Sequence, residues 1–198
     1  MIKQDEVIAF FDKVSETWDE DIIKDPDKIK RILDAAQIRQ GVKVLDVACG
    51  TGVLITDYLE RGVEKVTAFD ISLGMIEVAK SKFQGIENVE FQCTDIEHLR
   101  LDEWVDCIMI YNAFPHFANP EMMIRLLADR LVKGGTLTVA HDMGIEQLNA
   151  HHARRAQSVS NGLISTREMI GLFEPYFDVT HAVSEEEIYY VSGVKNKK

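Results

Sequence analysis

VLDVACGTG, residues 44–52, decides the reading of this chain. Val44, Leu45 and Val47 bracket Asp46 at the end of an apolar run. A string of small residues carrying Gly50 and Gly52 then turns the chain toward a helix. Glycine permits a sharp turn and lets a ligand approach the backbone where a Cβ would stand. In an open parallel sheet the ligand crevice lies beyond the carboxyl ends of the strands, at the switch point. The turn is therefore predicted to floor a nucleotide-like site.

Working outward, short apolar runs alternate with helical patterns. Strands are predicted at 43–48, 65–69, 88–93, 105–111 and 136–141, and most are continuous rather than alternating, as strands covered on both faces are. Helices are predicted between them at 53–61, 72–83 and 120–132. Asn119 caps the last of these, Pro120 fits its first turn, Met123, Leu126, Leu127 and Leu131 share a face, and Gly134–Gly135 ends the excursion. Repeated strand, helix, strand implies a parallel sheet with right-handed crossovers. Two helices precede the first strand, at 4–18 and from Pro26, capped by Asp25, to Ile38. A polar helix at 144–157 and another at 166–174, capped by Ser165 or Thr166, follow the fifth strand. Two further strands, 176–183 and 187–193, flank the charged turn Ser184–Glu187. The expected architecture is a single α/β unit over 1–198. It is a Rossmann-like, seven-stranded, mostly parallel sheet with helices on both faces and an antiparallel hairpin at its C-terminal edge. Residues 1–40 form a helical lid, residues 41–198 form the core, and 143–165 form a substrate-side insertion.

The acidic strand ends separate two kinds of nucleotide-like ligand. Asp46 stands before the turn, Asp70 ends the second strand in AFDIS, and Asp95 follows the third. Asp70 stands where a carboxylate accepts hydrogen bonds from ribose hydroxyls. A dinucleotide fingerprint needs a third glycine three residues after the second, but Ile55 is there, and the turn holds no Lys or Arg for a pyrophosphate. A site of this sign suits a cation and repels a pyrophosphate. S-adenosylmethionine carries a sulfonium and an ammonium and no phosphate.

In these segments the sequence resembles the class I S-adenosylmethionine-dependent methyltransferases, over nearly its whole length. VLDVACGTG resembles their first motif, FDIS the ribose-binding segment and Thr94–Asp95–Ile96 the adenine-binding segment. DCIMIYNAFPHF, Asp106 to Phe117, resembles the fourth motif, and LVKGGTLTVAHD resembles the helix, glycine turn and fifth strand that come after it. The N-terminal FFDKVSETWD is similar to a segment of the small-molecule branch that includes ubiquinone and menaquinone biosynthesis methyltransferases. The resemblance implies methyl transfer from S-adenosylmethionine to a small molecule. It also implies roles. Ala48, Gly50 and Gly52 pass beside the methionine part, Asp46 orients its ammonium, and Asp70 binds the ribose. Ile71 and Met75 pack on the adenine, Asp95 and the Ile96 amide meet its edge, and Tyr111 and Asn112 line the methionine side. Asp95 also reads as a turn cap, and Met75 as plain helix core.

Methyl transfer from a sulfonium is an in-line displacement whose catalyst mainly aligns the reactants. A base is needed where the nucleophile holds a proton at neutral pH. Histidine is the natural candidate. His116 follows the fourth strand and His141 ends the fifth, both at the crevice edge. His151 and His152 lie on the next helix, where neighbours point apart, so one of the two is expected to face the site. Each also reads as a structural histidine. Arg154 and Arg155 could grip an acceptor carboxylate or phosphate, or pair with acids such as Glu146. Phe10, Phe11 and Trp18 could form an apolar lid or pack on the sheet.

Composition sets outer bounds. With 198 residues and 46% hydrophobic content the chain can bury a substantial core. A net charge of -11 argues against a nucleic-acid partner. Cys49, Cys93 and Cys107 lack paired spacing and read as small buried thiols. Met1–Glu6 is polar and acidic, unlike a signal peptide. Together these give a cytoplasmic expectation, with no membrane insertion, no metal site and no indication of oligomeric state. The tail Lys195–Lys198 reads as solvated. Two alternatives stand beside methyl transfer. One is a regulator that binds the cofactor without catalysis, and the other is a nicotinamide-dependent reductase, disfavoured by the missing glycine.

Overall fold

The computed structural model describes residues 2–196, apart from the side chains of residues 21, 155 and 157. Seven strands form one sheet in the order β3-β2-β1-β4-β5-β7-β6. They are β1 (Lys43–Val47), β2 (Lys65–Asp70), β3 (Val89–Cys93), β4 (Val105–Tyr111), β5 (Leu131–His141), β6 (Phe177–Glu185) and β7 (Ile188–Lys195). Strands β1 to β5 pair in parallel, and β7 runs antiparallel between β5 and β6. From β1 the chain builds outward to β2 and β3, then crosses back to lay β4 on the other side. That reversal is the switch point where such sheets bind ligands.

Residue alternation divides the core between the two faces. Leu45, Val47, Ile108, Ile110, Leu137 and Val139 meet α5 (Pro120–Ala128) and α7 (Thr166–Phe173) on one side. Val44, Val66, Cys107 and Met109 meet α2 (Pro26–Ala35), α3 (Ile55–Glu60) and α4 (Leu73–Lys82) on the other. The helix starts fall at the capping residues the sequence offers. Asp25 accepts from two amides before α2, Asn119 caps α5 ahead of Pro120, and Ser165 forms a reciprocal capping box with Glu168. Each cap is worth about 1 kcal/mol.

Several boundaries depart from the sequence reading. The first helix splits into α1 (Gln4–Val14) and a 3-10 turn, Ser15–Asp21. The helix predicted to 132 stops at Ala128, and Leu131 already pairs with Val105 in β5. The glycines at 134 and 135 therefore lie inside β5. The register there jumps from Val105↔Leu131 to Cys107↔Thr136, and Gly134 takes φ 82 to make the bulge. Only the first part of 1–40 lies over the carboxyl ends of the strands, because α2 buries Ile29, Ile32 and Leu33 against the sheet instead. Cys93 is exposed rather than buried, since β3 is an edge strand, while Cys49 and Cys107 are buried as expected. Lys195 is not part of a solvated tail. It ends β7 and donates to the Leu131 carbonyl at 2.8 Å. Lys197 and Lys198 lie outside the described residues. Among the described residues no helix is long and apolar enough to cross a membrane, and no cluster could hold a metal ion.

Candidate active site

A cavity of about 920 Å³ opens over the carboxyl ends of β1 to β5 and is roofed by α1 and the 3-10 turn after it. That is the upper part of the size range of small-molecule sites. Its floor is the turn after β1. Ala48 and Gly50 both line it in left-handed conformations, with φ 53 and 55. A non-glycine residue held there stores strain that the surroundings must overcome, which is common where a backbone is shaped around a ligand. A Cβ added at Gly50 would meet nothing within 4 Å, so this backbone presents an open face.

Gly52 does something else. It is not part of the cavity wall, and a Cβ there would stand 2.8 Å from the Phe83 ring. With φ 80, Gly52 lets the end of α4 pack beneath the turn, so its lack of a side chain serves this packing.

Around the floor stand the acidic groups. Asp46 is only 2% exposed, and burial together with the neighbouring Asp70 pushes its carboxyl up to about 8. No Lys or Arg among the described residues lines this cavity. A buried carboxyl opening onto a cavity without a counter-charge fits a ligand that brings positive charge. Asp70 accepts from the Gly50 amide and the Ser72 amide, each at 2.9 Å, so it also clamps the turn to the start of α4. Burial raises its pKa while those amides pull it down. Asp95 stands both in the cavity wall and in a turn. It lines the cavity and caps a turn, accepting from the His98 amide at 2.9 Å. Partial burial opposes its ionisation, but the His98 contacts leave its pKa lowered overall. Ile71, Met75 and Ile96 supply apolar surface between these acids.

Beyond β4 and β5 the wall changes character. Tyr111 donates to Asp142 Oδ2 at 3.1 Å, and Asn112, with φ 53, accepts from the Asp142 amide at 3.2 Å. His116 lies in the 3-10 turn Phe114–His116, with Phe11 packed edge-on at 5.0 Å between centroids. Its Nδ1 stands 2.7 Å from the Val159 carbonyl, which can only accept. Nδ1 therefore carries the proton, and the Nε2 lone pair has no protein partner among the described residues. Burial lowers the His116 pKa and keeps the ring neutral at neutral pH. His152, on α6 (Ile145–Arg155), lies 5.2 Å from His116 between ring centroids and contacts Ser160 Oγ at 2.7 Å. Burial and the flanking histidines lower its pKa to about 4. His151 is exposed at the rim, so both neighbours reach the cavity rather than one.

His141 does not. It is fully buried at the end of β5, paired opposite Tyr189 on β7, and neither ring nitrogen has a partner among the described residues. Burial drives its pKa down to about 3. It shares the parity of Leu137 and Val139, so the pleat aims it at the core beneath α5 and α7 and not at the crevice. Arg154 is exposed and outside the wall, and the Arg155 side chain lies outside the described residues.

The lid residues foreseen at Phe10, Phe11 and Trp18 all line the cavity. Three contributors were missed. Ile22 and Ile23 form an apolar pair in an otherwise polar stretch, a readable signal, while Met122 follows the Asn119 cap and Met143 follows Asp142. The third is the set of lid ties. Asp19 accepts from Thr51 Oγ1 and Lys82 Nζ, both at 2.5 Å, and Lys24 pairs with Asp57.

Fold and site together define a Rossmann-like α/β protein with a ligand cavity at the switch point of its sheet. Residues 44–135 match the family model described as a methyltransferase domain, in line with the resemblance read from the motifs. It is similar to the malonyl-[acyl-carrier protein] O-methyltransferase of Bacillus cereus, 32% identical over 127 residues, covering 61% of this chain and 46% of that protein. It is also similar to the ubiquinone biosynthesis O-methyltransferase of Coxiella burnetii, 31% identical over 144 residues, covering 69% of this chain and 61% of the relative. The chain thus spans about half the length of these relatives. In fold it matches magnesium protoporphyrin IX methyltransferase from Synechocystis PCC 6803, solved with bound SAH. The TM-score is 0.73 at 15% identity, over 98% of this chain and all of the other.

Proposed function

We propose that this protein transfers the methyl group of S-adenosylmethionine to a small-molecule acceptor. The observation that carries the reading is Asp46. A carboxyl buried on the cavity floor, with its pKa raised to about 8 and no Lys or Arg among the described residues of the cavity wall, matches the ammonium of that ligand. The Gly50 backbone gives close approach, Asp70 takes the ribose hydroxyls, and Ile71, Met75 and Ile96 hold the adenine with Asp95 at its edge. Tyr111 and Asn112 flank the methionine side. When bound, S-adenosylmethionine supplies a methyl group activated by its sulfonium, displaced in line by the acceptor while the electron pair stays on sulfur.

The protein's own part is orientation, exclusion of water by α1, and removal of a proton. Alignment accounts for much of the rate. His116 is the base in this reading, because its Nε2 is free and its Nδ1–H is anchored. His152 and His151 border the same space. The reading includes a cytoplasmic location and no nucleic-acid partner, consistent with free thiols and the net charge of -11.

Incubating the protein with methyl-labelled S-adenosylmethionine and a cell extract tests it. Label in a small molecule supports the reading. Tight binding without label transfer would favour a cofactor-binding regulator instead, and binding of NADH in preference would favour a reductase.

A further inference from the structure

The half of the cavity beneath α1 has a chemistry that discriminates among acceptors, an inference that rests on the methyl-transfer reading. Its walls are apolar and aromatic: Val7, Phe10, Phe11 and Trp18 from the lid face Phe117 and Met122 from the segment after β4. Aromatic walls of this kind favour a flat or extended apolar body. At the β4 and β5 ends, the polar groups are lone-pair bearers. His116 is committed as a donor through Nδ1 and offers only the Nε2 lone pair. Asp142 lines the same wall with a carboxylate that already accepts from Tyr111. Among the described residues no Lys or Arg lines the cavity, and Arg154 is exposed away from it.

We propose that the acceptor is an uncharged, largely apolar molecule presenting a hydroxyl or amino group to His116 Nε2, and that carboxylates and phosphates are rejected. A hydroxyl or amine brings a hydrogen to a lone pair. A carboxylate brings lone pairs to lone pairs and must shed its water against apolar walls with no described counter-charge. With a hydroxyl, the proton passes to Nε2 as an oxygen pair forms the bond to the methyl carbon. With an amine, the nitrogen lone pair forms that bond and the surplus proton then passes to Nε2. In both, the carbon–sulfur bond breaks and its pair stays on sulfur. Discrimination of this sort is asymmetric, since a site that accepts a hydrogen bond rejects a ligand unable to donate one far more strongly than it distinguishes extra methylenes.

Three probes with one skeleton isolate the head group: para-heptylphenol, para-heptylaniline and para-heptylbenzoate. Calorimetry first establishes that S-adenosylhomocysteine binds; if it does not, the methyl-transfer reading falls and this proposal with it. Probe binding is then followed with that ligand saturating, by quenching of Trp18 in a Trp104→Phe background, because Trp104 is 68% exposed and outside the cavity. The phenol and aniline should bind at least about tenfold more tightly than the benzoate. His116→Asn, which can still donate toward Val159 but lacks Nε2, should erase that advantage and leave benzoate binding unchanged. Met122→Lys, which plants a cation in the wall, should strengthen benzoate binding. Benzoate binding as tight as the phenol in the parent protein overturns the proposal. Failure of all three probes to bind to the S-adenosylhomocysteine complex overturns it as well.

Discussion

Asp12 Oδ1 accepts a 2.6 Å hydrogen bond from Ser72 Oγ, joining the lid to the start of α4 across 60 residues of chain. The same oxygen accepts from the Gly74 amide at 3.0 Å, while Ser72 Oγ caps α4 by accepting from the Met75 amide. Asp70 holds the neighbouring Ser72 amide. The lid is thus bonded to the segment that follows Asp70, the carboxylate proposed to bind the ribose. Asp12→Ala should weaken S-adenosylhomocysteine binding by about 1 kcal/mol, or roughly fivefold, whereas Asp12→Asn, which keeps an acceptor oxygen, should stay near the parent. Calorimetry on both variants distinguishes them. Equal affinity in all three proteins would show that the lid's anchor is irrelevant to the site.

Asp46 makes stability depend on pH. Burial lifts its carboxyl from 3.8 to about 8. The folded chain therefore keeps a proton that the unfolded chain has lost, and stability from this group is complete below about pH 4 and fades as the pH climbs to about 8. Urea midpoints should fall across that window in the parent and vary less in Asp46→Asn. Binding a cation beside Asp46 should also expel a proton at neutral pH. Calorimetry in two buffers of different ionisation enthalpy should detect close to one proton released, and none in Asp46→Asn.

Removing Asp70 should damage two things at once. Its oxygens hold the Gly50 and Ser72 amides as well as facing the cavity. Asp70→Ala is expected to lower S-adenosylmethionine affinity by about 1–3 kcal/mol. It should also lower Tm by several degrees, at about 2–4 °C per kcal/mol for a chain of this size. A folded Asp70→Ala protein with unchanged affinity would remove the ribose assignment.

The histidines should separate cleanly. His116→Ala is expected to reduce turnover about 10²–10⁴-fold with cofactor affinity intact. His141→Phe should leave turnover near normal and hold or raise Tm, because both His141 nitrogens are buried without partners and an apolar ring of similar shape removes that cost. A large fall in kcat for His141→Phe would return His141 to the catalytic candidates.

Local chemistry is legible in the sequence. The turn at 44–52, the caps at Asp25, Asn119 and Ser165, and the acidic ends of β1 and β2 all depend on residues within a few positions of one another. The packing of Phe83 against Gly52 is not legible there, because Phe83 lies far along the chain and no spacing rule connects them. His141 carries a usable signal. It has the same parity as Leu137 and Val139, and weighing period two against mere proximity to a strand end turns it inward. The end of α5 is overrun because Leu131 suits a helix face and a strand equally. Pairing with Val105 decides it.

The position of β7 also orders events during synthesis. Residues 188–195 form a strand with β5 on one side and β6 on the other. Until residue 195 has left the ribosome, β5 has an open flank and Leu137 and Val139 lack the cover that Tyr189 and Val191 provide. The nascent chain therefore carries an unpaired, apolar strand edge in the interval between the synthesis of β5 and that of β7. Such an edge invites wrong pairing with other chains. A chaperone that shields exposed strands during that interval should raise the yield of folded protein more than one that acts after release.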